Sequence, residues 1–454
     1  MMIFIFILFL IVLNIIYNYK NPIKKPVKKL KIGILLNYTF MEIEKEELVF
    51  PNDNSPDYIK KIPKHHLIRN SYINNKKKNN ILGYPYDLVI GYCIKWMRPD
   101  IEVNFITPDN MSVEEFHKND LVFIIIYDLL EALNIDKLLS QNELNTNIKF
   151  NKDQYKKLKK ILEQVNNVYP SYEYQKIINS KCNYYKLILS NKLSINNFKC
   201  VTLHRKNTID EIINYLEHVD LLKKSFVTKP DNGSDSIGFA VWLYKKKNKD
   251  DNIKKDQYII SYNDKNDLIN KLDQYLKIMK NYNKIIVQKK VNGFYADKNN
   301  EQFSKITTEF KSYYIGNNYK YAILVDDYCY RQPAVDGGSN KYINCNDNCA
   351  LGDTNTQCKG PEIDKFHYDK MKKLGKSAMK ILPPIIINGK VLPKLLTRID
   401  IGLMSPYYSQ NNKNRDIFIN EIEFVPSLFH VNIKVDVIKL IAEQMINIIE
   451  IYKK

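Results

Sequence analysis

Two predicted strands near the carboxyl terminus constrain this chain most, because ionisable residues alternate with apolar ones on both of them. The first, Leu395 to Ile401, carries Arg398 and Asp400. Residues two apart on a strand point to the same face of the sheet, so the guanidinium and the carboxylate are expected to project together. The pair is either a partly buried salt bridge or part of a charged functional site.

The second strand, Phe418 to Phe424, carries Glu421 and Glu423 on one face and apolar residues on the other. Two neighbouring carboxylates on a buried strand repel each other unless something positive neutralises them. Because Mg²⁺ prefers carboxylate oxygens, both glutamates and Asp400 are candidate magnesium ligands. The alternative is an amphipathic edge strand with a solvated acidic face, and the apolar neighbour Phe418 argues against it.

A glycine-containing segment, Lys229 to Gly238, is a candidate phosphate site. Glycines let backbone N–H groups approach phosphate oxygens closely, and a lysine adds a point charge. The candidate contacts are Lys229, Gly233, Ser234 and Ser236. A P-loop would place its lysine after the glycines and open a helix, whereas here the lysine comes first and predicted strands flank the segment. We expect a hairpin flap over a phosphate, or else an ordinary turn with an exposed lysine.

Predicted strands and helices alternate along the rest of the chain, which is typical of α/β proteins. The predicted elements of the first 150 residues are the strands Lys31–Asn37, Glu102–Ile106 and Leu121–Tyr127 and the helix Tyr86–Met97, with a polar excursion over about 50–80. The later ones include the helices Gln154–Val168, Tyr172–Leu189, Leu268–Met279 and Val435–Ile451, and a hairpin formed by Phe310–Ile315 and Tyr319–Val325.

The net charge of +19 over 454 residues would suit a nucleic acid or an anionic membrane as partner. The lysines, however, are spread through Asn/Lys loops such as Asn75–Asn80 and form no stripe interleaved with aromatic residues. Charge runs of this kind are usually solvated surface. We therefore expect no nucleic-acid partner.

The seven cysteines fall into two groups. Cys93, Cys182, Cys200 and Cys329 lie in apolar or aromatic sequence and are expected to be packed thiols. Cys345, Cys349 and Cys358 cluster in a polar loop, where three thiolates could join a zinc site, although no CxxC pair or nearby histidine completes one. A reducing compartment fits this pattern better than a disulfide framework.

The amino terminus differs from the rest of the chain, because Met1–Tyr17 is apolar except for Asn14 and lysines crowd Pro22–Lys31. The stretch is short for a spanning helix, which needs about 20 apolar residues, and it lacks the features of a secretory signal peptide. We expect residues 1–17 to anchor the protein in a membrane with its body in the cytosol, since the lysines follow the segment. A buried first strand or a wrongly assigned start, and hence a soluble cytoplasmic protein, is the alternative.

In order and strand context these motifs resemble the ATP-grasp superfamily, and most of all its D-alanine–D-alanine ligase and glutathione synthetase branches. There a KPxxGSS-like loop closes over the ATP phosphates, an RxD strand supplies an arginine and a magnesium ligand, and an ExN strand followed by proline supplies further ligands. The matching residues are Lys229–Gly238, Arg398, Asp400, Glu421, Glu423 and Pro426. Glu423 stands where asparagine is usual, which adds a negative charge.

Three further segments are similar to the superfamily in a less specific way. Lys181 matches a lysine that reaches the ATP phosphates, without the acid that usually precedes it. Ile285–Gly293 resembles the hinge whose backbone reads adenine, and Glu309 is the candidate for the ribose-binding acid. The implied hinge contacts are Gln288, which replaces a glutamate, Lys289 and Val291.

The resemblance covers about residues 172–452 and implies an α/β (α+β) architecture. A hydrophobic anchor and basic linker (1–29) would precede an N-terminal parallel α/β domain (30–150) and a two-lobed ATP-grasp module (151–454, with a lid at about 200–284). The implied cofactors are ATP and Mg²⁺, with Arg398 as the catalytic residue and small-molecule or peptide carboxylates and amines as substrates.

The implied reaction is an ADP-forming carboxylate–amine ligation, in which a substrate carboxylate attacks the γ-phosphate and an amine displaces the resulting acyl phosphate. An ATP-grasp kinase of a hydroxyl acceptor would use the same ATP-side residues. A non-catalytic nucleotide-binding protein is the third alternative. The motifs select neither the substrates nor the oligomeric state.

Overall fold

The structure is a computed structural model that describes residues 29–36, 48–74, 77–125, 152–195, 197–232, 238–245, 257–280, 282–291, 308–326, 329–330, 334–335, 365–403, 416–424 and 437–454. It is an α/β protein built around one parallel sheet and two larger, mainly antiparallel ones, which confirms the predicted fold class.

The first part of the chain forms a four-stranded parallel sheet. Its elements are β1 (Lys31–Leu35), β2 (Leu48–Val49), α1 (Asp57–Lys60), β3 (Ile68–Asn74), β4 (Lys77–Pro85), α2 (Tyr86–Met97), β5 (Glu102–Ile106), α3 (Val113–His117), β6 (Leu121–Phe123), α4 (Lys152–Leu162) and β7 (Val168–Tyr169). The strand order is β5-β1-β6-β7, and all three pairings are parallel, as the alternation of strands and helices predicts.

The polar excursion predicted for about 50–80 is ordered in part, because β3 and β4 form an antiparallel hairpin and β2 pairs with the end of β4. The strands were missed because Asn and Lys, which are depleted in strands, dominate this segment. Proline 85 ends β4 and stands at the N-cap of α2, where its fixed φ suits the start of a helix.

The second part of the chain contributes two more sheets. Its elements are α5 (Tyr172–Ile178), α6 (Lys181–Ser190), β8 (Phe198–Thr202), α7 (Thr208–His218), β9 (Phe226–Pro230), β10 (Phe239–Tyr244), β11 (Gln257–Tyr262), α8 (Lys265–Ile278), β12 (Lys284–Lys289), β13 (Thr308–Ile315), β14 (Asn318–Asp326), β15 (Cys329–Tyr330), β16 (Ala334–Val335), α9 (Lys365–Ile381), β17 (Ile385–Ile387), β18 (Lys390–Leu392), β19 (Leu396–Leu403), β20 (Ile417–Phe424) and α10 (Val437–Lys453). The helix expected over Tyr172–Leu189 is in fact two helices, because the Ser180 hydroxyl caps a new helix by accepting from the Asn183 N–H.

The five-stranded sheet has the order β11-β10-β9-β12-β8, and β9 and β10 flank the glycine-containing segment. The six-stranded sheet has the order β15-β14-β13-β19-β20, with β16 also paired to β14. The predicted hairpin is present between β13 and β14, and Gly316 adopts the positive φ of +63° that its turn requires.

Two main cores hold these sheets. One continuous core includes residues of the parallel sheet, such as Ile34, and of the six-stranded sheet, such as Ile399, and it extends to Ile449 of α10. The five-stranded sheet has its own core around Trp242 and Leu272. Strand β9 therefore belongs to a sheet with a core of its own, although Ile286 of the neighbouring β12 packs in the continuous core, and the charged groups described below also join the two sheets.

The structure corrects the expectation that Cys182 and Cys200 are packed thiols, because it joins them in a disulfide between α6 and β8. Buried thiols and buried disulfides both lie in apolar sequence, so the residues around Cys182 and Cys200 could not distinguish the two. Cys93 is fully buried, as expected for a packed thiol. Cys345, Cys349 and Cys358 lie outside the described residues.

No helix within the described ranges is long and apolar enough to cross a membrane. The predicted anchor, residues 1–17, lies outside those ranges.

Candidate functional site

The centre of the site is the pairing of β19 with β20. Asp400 is paired with Glu421 and Arg398 with Glu423, so the alternating charged residues of both strands face each other across the ladder. The register shifts at Asn420, which is the extra residue of a bulge. Bulges redirect side chains next to functional sites, and this one begins beside the two acids.

Arg398 connects the two strands through its guanidinium. Its Nε donates to Asp400 Oδ1 at 2.8 Å and its Nη2 to Asp400 Oδ2 at 3.0 Å, while Nη2 also lies 2.5 Å from Glu423 Oε1. All three side chains are at least nine-tenths buried. The expectation that Arg398 and Asp400 project together is confirmed. Because Arg398 contacts both carboxylates at these distances, it holds them in fixed positions.

Lys311 is the fourth member of this cluster, and the sequence motifs did not predict it as a site residue. Its Nζ lies 2.8 Å from Asp400 Oδ2 and 3.1 Å from Glu309 Oε2, with only 12% of the side chain exposed. Strand β13 runs next to β19 with Lys311 opposite Asp400. A signal was available, because Glu309 and Lys311 are two apart at the start of a predicted strand and must share a face.

Lys181 enters from the first turn of α6 and lies 2.8 Å from Glu421 Oε1. The acid that the sequence lacks before this lysine is supplied by Asp231, which follows β9. Its carboxylate accepts from the Ser180 hydroxyl at 2.9 Å and from the Cys182 N–H at 2.6 Å. An acid at a helix N-terminus is favoured by the helix dipole, so Asp231 fixes the end of α6 that carries Lys181.

Lys229 reaches the same cluster from β9. Its Nζ lies within 3.4–3.5 Å of the carbonyl and side-chain oxygens of Asn420 and 5.0 Å from the centre of the Tyr185 ring. Asn420 in turn donates from Nδ2 to Glu309 Oε1 at 2.9 Å. The bulge residue therefore links the lysine of the five-stranded sheet to the acids of the six-stranded one.

The acids of the cluster are not equally neutralised. Burial alone would raise the pKa of Asp400, but the charges of Arg398 and Lys311 outweigh it and lower that pKa. Burial is likewise outweighed at Glu421, where Lys181 and Lys229 hold the pKa below its usual value. Both groups are carboxylates at neutral pH.

Glu423 behaves in the opposite way. Burial, together with the charges of Asp400 and Glu421, raises its pKa to about 8 although Arg398 and Lys311 oppose the rise. Burial also lowers the pKa of Lys229 to about 8, against the attraction of Glu421. Arg398 and Lys311 therefore do not fully offset the burial of Glu423, and an added cation would favour its ionised form.

The donor set of the cluster fits magnesium. One carboxylate oxygen from each of Asp400, Glu421 and Glu423 lies within 4.8 Å of the others. Adjacent oxygen ligands of an octahedral Mg²⁺ are about 3 Å apart, so the three side chains would draw closer together on binding the ion. Hard oxygen donors are what this ion requires.

Gln288 lies on the same face of the five-stranded sheet as Lys229, because Ile286 pairs with Lys229 and Gln288 is two residues further on. Its side chain is fully buried, yet neither amide atom has a hydrogen-bond partner among the described residues. An unsatisfied buried polar group costs about 1–3 kcal/mol. Such a cost is normally offset by a ligand or a water, so the amide marks a place where a polar ligand would be bound.

The other predicted residues divide into three groups. Glu309 belongs to the cluster through Lys311 and Asn420. Lys289 is exposed at the end of β12 and Val291 is buried just after it, so neither contacts the acids through a described interaction. The predicted residues that lie outside the described ranges are Gly233, Ser234, Ser236 and Pro426.

No protein-family model matches the sequence, and no curated protein matches it. Several solved structures superpose over most of the chain. D-cycloserine synthetase DcsG does so with a TM-score of 0.47 at 9% identity, covering 92% of this chain and 99% of that one. The D-alanine–D-alanine ligase from Bacillus anthracis complexed with ATP gives 0.43 at 10% identity, covering 93% and 99%.

A third structure, the VanG D-Ala:D-Ser ligase from Enterococcus faecalis, gives a TM-score of 0.43 at 13% identity and covers 93% of this chain and all of that one. Superpositions at these scores assign no activity, so the proposals below depend on the residues of this chain.

Proposed function

We propose that this protein is an ATP- and Mg²⁺-dependent carboxylate–amine ligase that releases ADP and phosphate. The observation that carries the proposal is the buried cluster of Asp400, Glu421 and Glu423. Cationic side chains from the five-stranded sheet, helix α6 and the six-stranded sheet surround it. Arg398 lies beside Glu423, and yet the pKa of this glutamate stays above its usual value, so all three acids would be fully ionised only with a further cation. A bound metal ion would supply that charge.

The cations of the cluster have separate roles in this proposal. Lys181 approaches Glu421 from helix α6, and Lys229 approaches Asn420 from the five-stranded sheet. When a nucleotide enters, these two ammonium groups would exchange their protein partners for phosphate oxygens, which are stronger acceptors. Arg398 and Lys311 would stay in place, because they are pinned between strands of one sheet.

Magnesium bound by Asp400, Glu421 and Glu423 would neutralise the β- and γ-phosphate oxygens. Arg398 would then stabilise the negative charge that develops during phosphoryl transfer, from a fixed position in a site of low dielectric constant. Because Asp400 and Glu423 already orient its guanidinium, little reorganisation would be needed during the reaction.

The nucleotide base would lie against β12, on the face that carries Gln288. An adenine presents both hydrogen-bond donors and acceptors at its edge, and the unpartnered amide of Gln288 offers both. Glu309, held by Lys311 and Asn420, would receive the ribose hydroxyls in the role that the superfamily resemblance implies. The substrate carboxylate and amine would meet the γ-phosphate at the open side of the cluster.

Titration calorimetry with a non-hydrolysable Mg·ATP analogue is the first test, using the body of the chain from residue 30 and the double variant Asp400→Asn/Glu421→Gln. We expect binding that requires Mg²⁺ and is lost in the variant. Glu114→Gln/Glu115→Gln, on the surface helix α3, is the matched control and should bind as the unaltered protein does. Absence of binding in the unaltered protein would support a non-catalytic role.

If binding is found, a screen of carboxylates and amines for phosphate release separates the two reaction classes. A ligase releases inorganic phosphate and forms an amide, whereas a kinase leaves the phosphate on a hydroxyl acceptor. A phosphorylated product without free phosphate would overturn the ligase proposal while leaving the nucleotide site in place.

A further inference from the structure

A cavity of about 590 Å³ lies at the end of the six-stranded sheet away from the carboxylate cluster. Its lining includes three lysines, Lys376 and Lys380 from α9 and Lys394 just before β19. The amide side chains of Asn317 and Asn318, from the turn between β13 and β14, complete its polar wall. None of the residues that line it is acidic.

Lys394 forms the buried part of this cavity, with 8% of its surface exposed. Its Nζ has one contact that approaches hydrogen-bond distance, 3.5 Å to the carbonyl oxygen of Leu382 at the end of α9. An ammonium group has three donors, and no carboxylate among the described residues pairs with this one. Burial lowers its pKa, which is the expected effect where no opposite charge compensates.

The two lysines of α9 are exposed and stand at the mouth of the cavity. They are four residues apart and therefore lie on the same helix face, where like charges repel. The position of Lys380 in the last turn is favourable for the helix dipole, but that explanation does not extend to Lys376 or to Lys394. Neither forms an ion pair with a described residue.

The position of α9 against the sheet brings the lysines together. A side chain at Gly375 would collide with the Tyr314 hydroxyl on β13, at 2.4 Å. The glycine therefore lets the helix approach the strand closely, and the next residue is Lys376. Met379 and Leu382 form apolar lining of the cavity, next to the ring of Tyr319.

We propose that this cavity binds a small organic anion, with its phosphate or carboxylate group among Lys376, Lys380 and Lys394 and its apolar part against Met379 and Leu382. The site is distinct from the carboxylate cluster, since Leu396 and Asp400 are four residues apart on β19, about 13 Å along the strand, and Lys394 lies beyond the Leu396 end. It does not depend on the function proposed above. A phosphate ester and a carboxylate both supply the required chemistry.

Residue-resolved lysine acetylation of the full chain, read by mass spectrometry, tests the proposal. Inorganic phosphate and succinate are the two probes, each added at constant ionic strength so that screening of surface charge does not change. We expect at least one of them to slow acetylation of all three cavity lysines. Lys192, which is exposed and lies away from the cavity, is the internal control and should react at an unchanged rate.

Protection by phosphate alone would identify a phosphoryl ligand, and protection by succinate alone would identify a carboxylate. Equal protection of Lys192 and the cavity lysines, or protection of none of them by either probe, would overturn the proposal. Because acetylation is read at each lysine separately, anion binding at Lys181 or Lys229 cannot be confused with binding in the cavity.

The double variant Lys376→Met/Lys380→Met changes only exposed side chains and is expected to fold. It should weaken the protection of Lys394 by about a hundredfold in probe concentration, because it removes two charge-assisted hydrogen bonds and the loss of each weakens binding by about tenfold. Lys373→Met is the matched control on the same helix, at an exposed position that does not line the cavity. Unchanged protection in the double variant would contradict the assignment.

Discussion

Two groups of buried charge lie within and just before strand β19, and they are neutralised by the protein to very different degrees. Within the strand, Arg398 and Asp400 are enclosed by partners, and Lys311 and Glu423 complete the set. Just before the strand, Lys394 is buried with no acid beside it among the described residues. Burying a charge costs free energy unless the charge is paired. Partners within the protein offset that cost in the carboxylate cluster, whereas no described carboxylate does so for Lys394.

The difference teaches how to separate structural pairing from a site that awaits a ligand. In the carboxylate cluster most of the compensation is internal, and removing one member leaves the others buried and unpaired. In the lysine cavity the only described contact of the Lys394 ammonium group is the long one to the Leu382 carbonyl oxygen. Removing this charge should therefore stabilise the folded protein. The following predictions test whether the loss of a buried cation is harmful in the carboxylate cluster and harmless in the lysine cavity.

The largest effect is expected for Arg398→Ala. Removing one partner of a buried pair costs about 3–5 kcal/mol of stability, and losing a donor that stabilises a transition state typically costs a factor of about 10² to 10³ in rate. Chemical denaturation should show the first loss, and phosphate release with a substrate pair from the screen the second. Binding of the Mg·ATP analogue should persist, and retained turnover would contradict the role of this arginine.

The second prediction concerns Lys311→Met, which leaves Glu309 and Asp400 without the ammonium between them. We expect a loss of roughly 3 kcal/mol in the free energy of unfolding. If these acids lie beside a metal site, MgCl₂ should raise the melting temperature of the variant more than that of the unaltered protein. Lys311→Arg keeps the charge and is the control; an equal response of all three proteins would argue against a metal at the cluster.

The third prediction is a pH dependence at Glu423. Its pKa of about 8 lies above the usual glutamate value, so the folded protein binds a proton that the unfolded chain has already released. The free energy of unfolding should therefore fall as the pH rises through the range between the two pKa values, by about 1 kcal/mol per pH unit. Glu423→Gln should remove this contribution to the slope.

Magnesium provides the control for that measurement. A bound cation would favour the ionised carboxylate, so saturating MgCl₂ should flatten the slope of the unaltered protein and leave that of Glu423→Gln as it was. A slope that does not respond to magnesium in either protein would count against Glu423 as a ligand.

The smallest effect is expected for Lys394→Met. The pKa of this lysine is lowered by burial, so its charge destabilises the folded state at neutral pH, and stability should rise as the pH approaches the ordinary lysine value. The variant should be as stable as the unaltered protein or more stable by up to about 1 kcal/mol. Thermal denaturation would measure the change, and a loss comparable to that of Lys311→Met would remove the contrast between the two groups.

The predicted strands were reliable where apolar and charged residues alternate. Strands β19 and β20 differ from expectation by only one or two residues at their ends. The hairpin β3–β4 was missed because its Asn- and Lys-rich sequence does not show the alternation. The break between α5 and α6 was missed because both halves read as one helical pattern and only the capping by Ser180 separates them.

The sequence by itself determined that Arg398 shares a face with Asp400 and Glu421 with Glu423, because the repeat of two residues along a strand is a property of the backbone. Only the tertiary structure decided which charges meet across strands. The positions of Lys311 opposite Asp400, of Asp231 at the start of α6 and of Lys394 in its cavity depend on sheet order and helix packing. The first two bring together residues that are 89 and 49 positions apart in the chain, and no local pattern encodes such distances.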